Sequence, residues 1–173
     1  MIDVKALIEK TLKSTSLEIL VFGPAVSPPS TDPHIASLQA KRVEIKRRLL
    51  DEGHSAQFGE DVYDPTLPAH LADPLLQEIV AMKAADLIIV LVGSPGAIGE
   101  AVTIARDQSL CPKAHFYCFE EHKDGLVVRH LTFIEAFGAR CDLMSLHAVQ
   151  ACHLTSAVVE KVRAIQVGKA FLF

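Results

Sequence analysis

The chain has 173 residues, half of them hydrophobic and few aromatic, which suits one domain with a substantial core and excludes a disordered or fibrous protein. Seventeen Lys and Arg against 21 Asp and Glu leave a net charge of −4, so nucleic acid is not expected as the main partner. No apolar run approaches the roughly 20 residues that span a bilayer, and Met1 to Lys5 lacks the basic-then-apolar layout of a signal peptide. The expectation is a cytoplasmic protein without membrane contact.

Taken in order, residues 4–15 read as a short amphipathic helix with Val4, Leu7, Ile8 and Leu12 on one side. Residues 17–22 read as a strand ending at Gly23-Pro24, followed by a loop rich in proline and serine. A long helical pattern over residues 34–52 stops at Gly53. Residues 54–58 read as a short second strand, and 59–73 as an acidic, proline-bearing loop. Pro74 suits a helix start, with apolar residues continuing to Ala84. The aliphatic run 87–92 is a third strand, and a helix is expected over 97–107. A fourth strand at 114–119, a charged turn, a helix at 126–137, a fifth strand at 139–144 and a last helix at 146–167 complete the chain. This alternation predicts a mainly parallel five-stranded α/β sheet with helices on both faces. In such sheets ligands bind outside the carboxyl ends of the strands.

The third strand carries the most information. It runs directly into Gly93-Ser94-Pro95-Gly96-Ala97-Ile98-Gly99-Glu100. A buried strand feeding a glycine-rich turn and a helix offers backbone N–H groups to a small anionic or hydroxyl-rich ligand. Gly93, Gly96 and Gly99 are costly in entropy unless the backbone bends or something approaches it. Glu100 is expected in the first helical turn, beside the pocket, held ionised by the helix dipole; the plainer reading is a helix-start glutamate favoured by that dipole. Ser94 is either a ligand contact or a turn and cap serine. Glu78, on the helix before the strand, either reaches the pocket as an acid or base or is a solvated helix residue.

Gly23 and Pro24 permit close backbone approach at the end of the first strand but form no G-x-G-x-x-G fingerprint. Asp61, in Gly59-Glu60-Asp61-Val62-Tyr63-Asp64, belongs either to a segment that covers a nucleobase or holds a ribose, or to a solvated acidic loop. Lys41, Arg42, Lys46, Arg47 and Arg48 either form a basic face for an acidic partner or, more commonly for such a run, a solvated surface balanced by Glu44, Asp51 and Glu52. Cys111, Cys118, Cys141 and Cys152 form no C-x-x-C pair, and the histidines form no H-x-x-x-H pair, so neither a metal nor a cofactor is expected. Cys118 reads as a buried thiol. Cys152 and His153, as helix neighbours, point in different directions and do not read as a catalytic pair. The tail Ala170-Phe171-Leu172-Phe173 either packs on its own core or docks into a neighbouring subunit.

The run Glu78…Ala85-Asp86-Leu87-Ile88-Ile89-Val90…Ser94…Gly99-Glu100, with Leu20-Val21-Phe22-Gly23-Pro24 before it, resembles the nucleoside 2-deoxyribosyltransferase-like superfamily. The resemblance covers the chain through Glu100 and fades beyond about Phe119. Cytokinin-activating phosphoribohydrolases carry a comparable turn, and nucleotide modules of the TIR and SLOG type share the layout. The resemblance implies a Rossmann- or flavodoxin-like three-layer sandwich and N-glycosidic chemistry on a nucleoside, nucleotide or NAD-like substrate. It implies that Glu100 attacks the anomeric carbon, that the residue at Ser94 contacts sugar or phosphate, and that the carboxylate at Glu78 assists the leaving base. Relatives usually have aspartate at the position of Glu78, and a tyrosine where Leu20 or Phe22 stands here. Homo-oligomers, with a neighbour completing the site, are also implied, as is the alternative of a non-catalytic nucleotide sensor.

Overall fold

A computed structural model describes residues 3–171. Five strands form one all-parallel sheet in the order β2-β1-β3-β4-β5. They are β1 (Glu18–Phe22), β2 (Ser55–Phe58), β3 (Leu87–Val92), β4 (Ala114–Phe119) and β5 (Arg140–Met144). The helices are α1 (Val4–Ser14), α2 (Pro33–Asp51), α3 (Pro74–Ala84), α4 (Pro95–Arg106), α5 (Leu126–Ile134), α6 (Leu146–Gln150) and α7 (His153–Phe171). The expected α/β architecture is therefore the observed one.

Two apolar cores flank the sheet, and β3 feeds both. Ile88, Val90 and Val92 point to the face covered by α3, α4 and α5, with Leu20, Phe22 and Phe116. Leu87, Ile89 and Leu91 point to the face covered by α2, α6 and α7, with Ile19, Val21 and Tyr117. Alternation along a strand buried on both sides requires such an unbroken aliphatic run. Three helices begin by one device: Asp32, Asp73 and Ser94 cap α2, α3 and α4, and each is followed by proline at the first helical position. At the amino edge of the sheet, Asp86 Oδ2 accepts from the Glu18 N–H at 2.9 Å and from Lys169 Nζ at 2.7 Å, so it ties β1, β3 and α7 together. No helix among the described residues is long and apolar enough to cross a membrane.

Four local expectations change. The cap-and-proline pair starts α4 at Pro95, two residues earlier than expected, which draws Gly96 and Gly99 into the helix. The last helix is two, α6 and α7, separated at Ala151 and Cys152, where Cys152 adopts φ +67°. The acidic loop opens with a 3-10 turn, Gly59–Val62. Helix α1 buries none of its residues, and Val4, Leu7 and Ile8 stay exposed. Of the apolar tail, Leu172 and Phe173 lie outside the described residues, and Phe171 is exposed.

Candidate functional site

The strand order reverses between β1 and β3. The helix after β1 covers one face and the helix after β3 the other, the arrangement beside which ligands bind in open α/β sheets. Several glycines there serve the protein's own packing. Gly23 has φ +151°, and a Cβ on it would lie 3.1 Å from Leu91 Cβ and 3.2 Å from the Leu91 carbonyl. Only glycine allows β1 and β3 to approach this closely. A Cβ on Gly93 would collide with Leu38 Cδ1. The close approach foreseen for a ligand at Gly23 and Gly93 is therefore made by Leu91 and by Leu38 of α2. The Pro24 carbonyl is likewise engaged, accepting from Arg42 Nη1 at 3.2 Å.

Ser94 caps α4: its Oγ accepts from the Ala97 N–H at 3.3 Å, which leaves the hydroxyl proton free to donate. It stands with Gly93, Pro95 and Ile98 on one wall of a cleft of about 370 Å³, whose other wall includes His122 and Leu126. A second cleft, of about 380 Å³, opens on the other side of Gly93 among Asp32, His34, Phe119 and Glu121. There His34 Nδ1 lies 2.9 Å from Glu121 Oε1, and its ring meets Phe119 edge-on at 4.9 Å. Gly96 and Gly99 leave the surface of α4 bare: a Cβ on Gly99 would meet nothing, and one on Gly96 only Ser94 Oγ at 3.9 Å.

Glu100 lines neither of these two clefts. It lies in the second turn of α4, not the first, because the helix begins at Pro95. The dipole argument weakens with it, since that effect fades beyond the first turn. Glu100 Oε2 is buried and accepts no hydrogen bond. Burial and the neighbouring charge of Glu78 push its carboxyl up to about 7, with Arg42 pulling it down and Glu60 adding to the rise. The helix dipole was expected to keep Glu100 ionised; its surroundings in the structure instead disfavour the charge. Glu78, half-buried on α3, is raised as well, by burial and then by Glu60.

Arg42 organises the cluster and was not anticipated. Only 1% exposed, its Nε and Nη2 donate to the Val21 carbonyl at 3.1 and 2.8 Å. Its Nη1 donates to Glu60 Oε1 at 2.8 Å, Nη2 engages Glu60 Oε2, and the guanidinium lies 4.4 Å from the centre of the Phe58 ring. The side chain thereby gathers the ends of β1 and β2 and neutralises one of three nearby carboxylates. Asp61 takes a different part. It pairs with Lys46 Nζ at 2.6 Å, and that bond holds its carboxyl below the usual range against burial. Glu60, its neighbour, is the loop carboxylate that joins Glu78 and Glu100.

The structure thus brings Glu60, Glu78, Glu100 and Arg42 together, and separately brings Gly93, Ser94, His34 and His122 to the clefts. Arg42 had one readable signal: Leu38, Arg42, Ile45 and Leu49 follow helical spacing along the buried stripe of α2. In comparisons with known proteins, the chain matches no family model and no curated sequence.

Proposed function

We propose that the chain breaks or transfers the N-glycosidic bond of a nucleoside, nucleotide or NAD-like substrate. In this reading Glu100 faces the anomeric carbon and Glu78 serves the departing base. One observation carries it: the orphaned, buried oxygen of Glu100 beside a second raised carboxyl at the switch point of the sheet. Departure of a base builds positive charge on the sugar ring. A buried carboxylate oxygen without a hydrogen-bond donor gains most when such a cation forms against it, so its attraction is realised chiefly in the transition state. Glu78, whose carboxyl is raised by burial and by Glu60, would give a proton to the leaving nitrogen. Ser94 and the open start of α4 would hold the hydroxyls or a phosphate.

The test is release of free base, followed by mass spectrometry, from a panel of nucleosides, nucleotides and NAD with wild-type and Glu100→Gln protein. Release by the wild type and its loss in the variant is the expected result. Equal release by both proteins, or none from any substrate, would overturn the reading.

A second reading is a nucleotide-binding sensor without catalysis. Its support is the separation of the Ser94 clefts from Glu100. It predicts saturable nucleotide binding, weakened by Ser94→Ala and indifferent to Glu100→Gln, with no base released.

A further inference from the structure

A different cluster lies where α2 meets the junction of α6 and α7. Of the four cysteines only Cys152 is exposed; Cys111 and Cys118 are buried and Cys141 is half-buried. Cys152 immediately precedes α7, a helix of 19 residues, and its carbonyl accepts from the Ser156 N–H at 3.0 Å. Lys41, only 7% exposed, donates from Nζ to Cys152 Sγ at 3.2 Å and to Glu44 Oε2 at 2.6 Å. Burial pulls the Lys41 ammonium down, but Glu44 and Cys152 outweigh it and hold the group above the ordinary lysine range. The cation beside the sulfur is therefore permanent at neutral pH.

Cys152 opens onto a cleft of about 340 Å³ lined by Glu44, Arg47, Thr155, Ser156 and Arg163, among others. Thr155 is 8% exposed, and its Oγ1 is buried without a partner at hydrogen-bonding geometry. Burial pushes Glu44 up; hydrogen bonding to Lys41, and then the nearby Thr155 hydroxyl, bring it below the usual glutamate range. Arg163 and Arg48 share Glu52, while Arg47 makes no ion pair among the described residues. The cleft thus holds an accessible sulfur, a buried hydroxyl without a partner and, in Arg47, a guanidinium without an ion pair among the described residues, with the carboxylates of Glu44 and Glu160 also in its lining.

We propose that Cys152 is a site of thiol–disulfide exchange that takes an anionic low-molecular-weight disulfide. The Cys152 sulfur attacks one sulfur of that disulfide. The old S–S bond breaks as the new one forms, and the departing sulfur leaves with the bonding pair and takes up the proton that Cys152 has given up. Thiol plus disulfide becomes mixed disulfide plus thiol, so the small disulfide is the only oxidant required. Lys41 keeps its charge against the attacking sulfur throughout, the surrounding typical of reactive cysteines. Arg47 and the Thr155 hydroxyl receive the carboxylates of the incoming group. The proposal is independent of the glycosidic reading, since none of these residues belongs to the Glu100 cluster.

The test compares oxidised glutathione, which is anionic, with cystamine, a cationic disulfide of similar reactivity. Adducts are followed by intact mass and located by peptide mapping. A single adduct at Cys152 is expected, forming several-fold faster with oxidised glutathione than with cystamine. Lys41→Met should slow it about tenfold, and Lys41→Arg should restore most of the rate. Arg47→Ala, on the helix surface, should narrow the preference for the anionic reagent without altering the cystamine rate. Labelling of Cys141 as fast as Cys152, or equal rates for the two disulfides in the wild type, would overturn the proposal even if the Lys41 variants failed to fold.

Discussion

Glu100 is a carboxyl whose surroundings disfavour its charge, and that has two separable consequences. If it must be ionised to meet the sugar, kcat/KM should climb with pH through about 7, as it loses its proton. Glu78→Gln removes a like charge, so the rising limb should move to lower pH even as the rate falls; a limb that stays in place would show that Glu78 does not bear on Glu100. The second consequence concerns stability. The folded-state value lies above the ordinary 4.5, so folding favours the protonated form. The penalty is absent below about 4.5, grows as pH rises, and is complete above about 7. Glu100→Gln should therefore raise stability by at most ~3 kcal/mol at pH 8 and by nothing near pH 4, as measured by urea unfolding at both values. Arg42 behaves oppositely. Arg42→Met strands the Val21 and Pro24 carbonyls and frees Glu60 to repel Glu78 and Glu100, and should cost roughly 2–4 kcal/mol. Arg42→Lys should recover little, because one ammonium cannot reproduce the fork. Neither trait was legible from composition. A glutamate after a glycine turn is visible in sequence, but its burial depends on α3, and Arg42 hides within a run of basic residues whose other members, Lys41 apart, are not buried.

Helix α4 shows what local chemistry conveys and where it stops. The strand-turn-helix sequence was readable, and so were the glycines, but their roles divide. Gly93 is held by Leu38, whereas Gly96 and Gly99 are helical and face open space. Helix glycines without a packing reason cost about 0.5–1 kcal/mol each relative to alanine. Gly99→Ala should raise stability by that amount in thermal or chemical unfolding. If a ligand lies against this bare surface, the same change should weaken its binding; unaltered binding would place the ligand elsewhere. The start of α4 was misjudged because Ser94-Pro95 was read as part of the turn, although the same cap-and-proline pair begins α2 and α3. The break between α6 and α7 had no signal of its own: neither glycine nor proline marks Ala151 and Cys152, and apolar spacing continues across them.

At the scale of the whole molecule, one strand links two cores. Ile88 and Ile89 are adjacent, both fully or almost fully buried, and belong to opposite faces of the sheet. Ile88→Ala and Ile89→Ala should each cost about 2–5 kcal/mol. Because β3 is shared, each should lower the midpoint of one common transition seen by circular dichroism and by fluorescence of Tyr63 and Tyr117 together, not split it in two. Strand-helix alternation made the layered architecture readable, since each element carries its own period. The strand order was not, because it depends on which edges pair across long separations. The meeting of Glu60, Glu78 and Glu100 depends on that order, which is why only two of the three were foreseen.

The lysine that anchors the end of α7 to Asp86 has a practical corollary. It fixes the end of that helix at the amino rim of the sheet, opposite the Glu60, Glu78 and Glu100 cluster. A reporter attached on the exposed surface near Lys169 would therefore sit at the far end of the sheet from Glu60, Glu78 and Glu100 and leave their surroundings undisturbed.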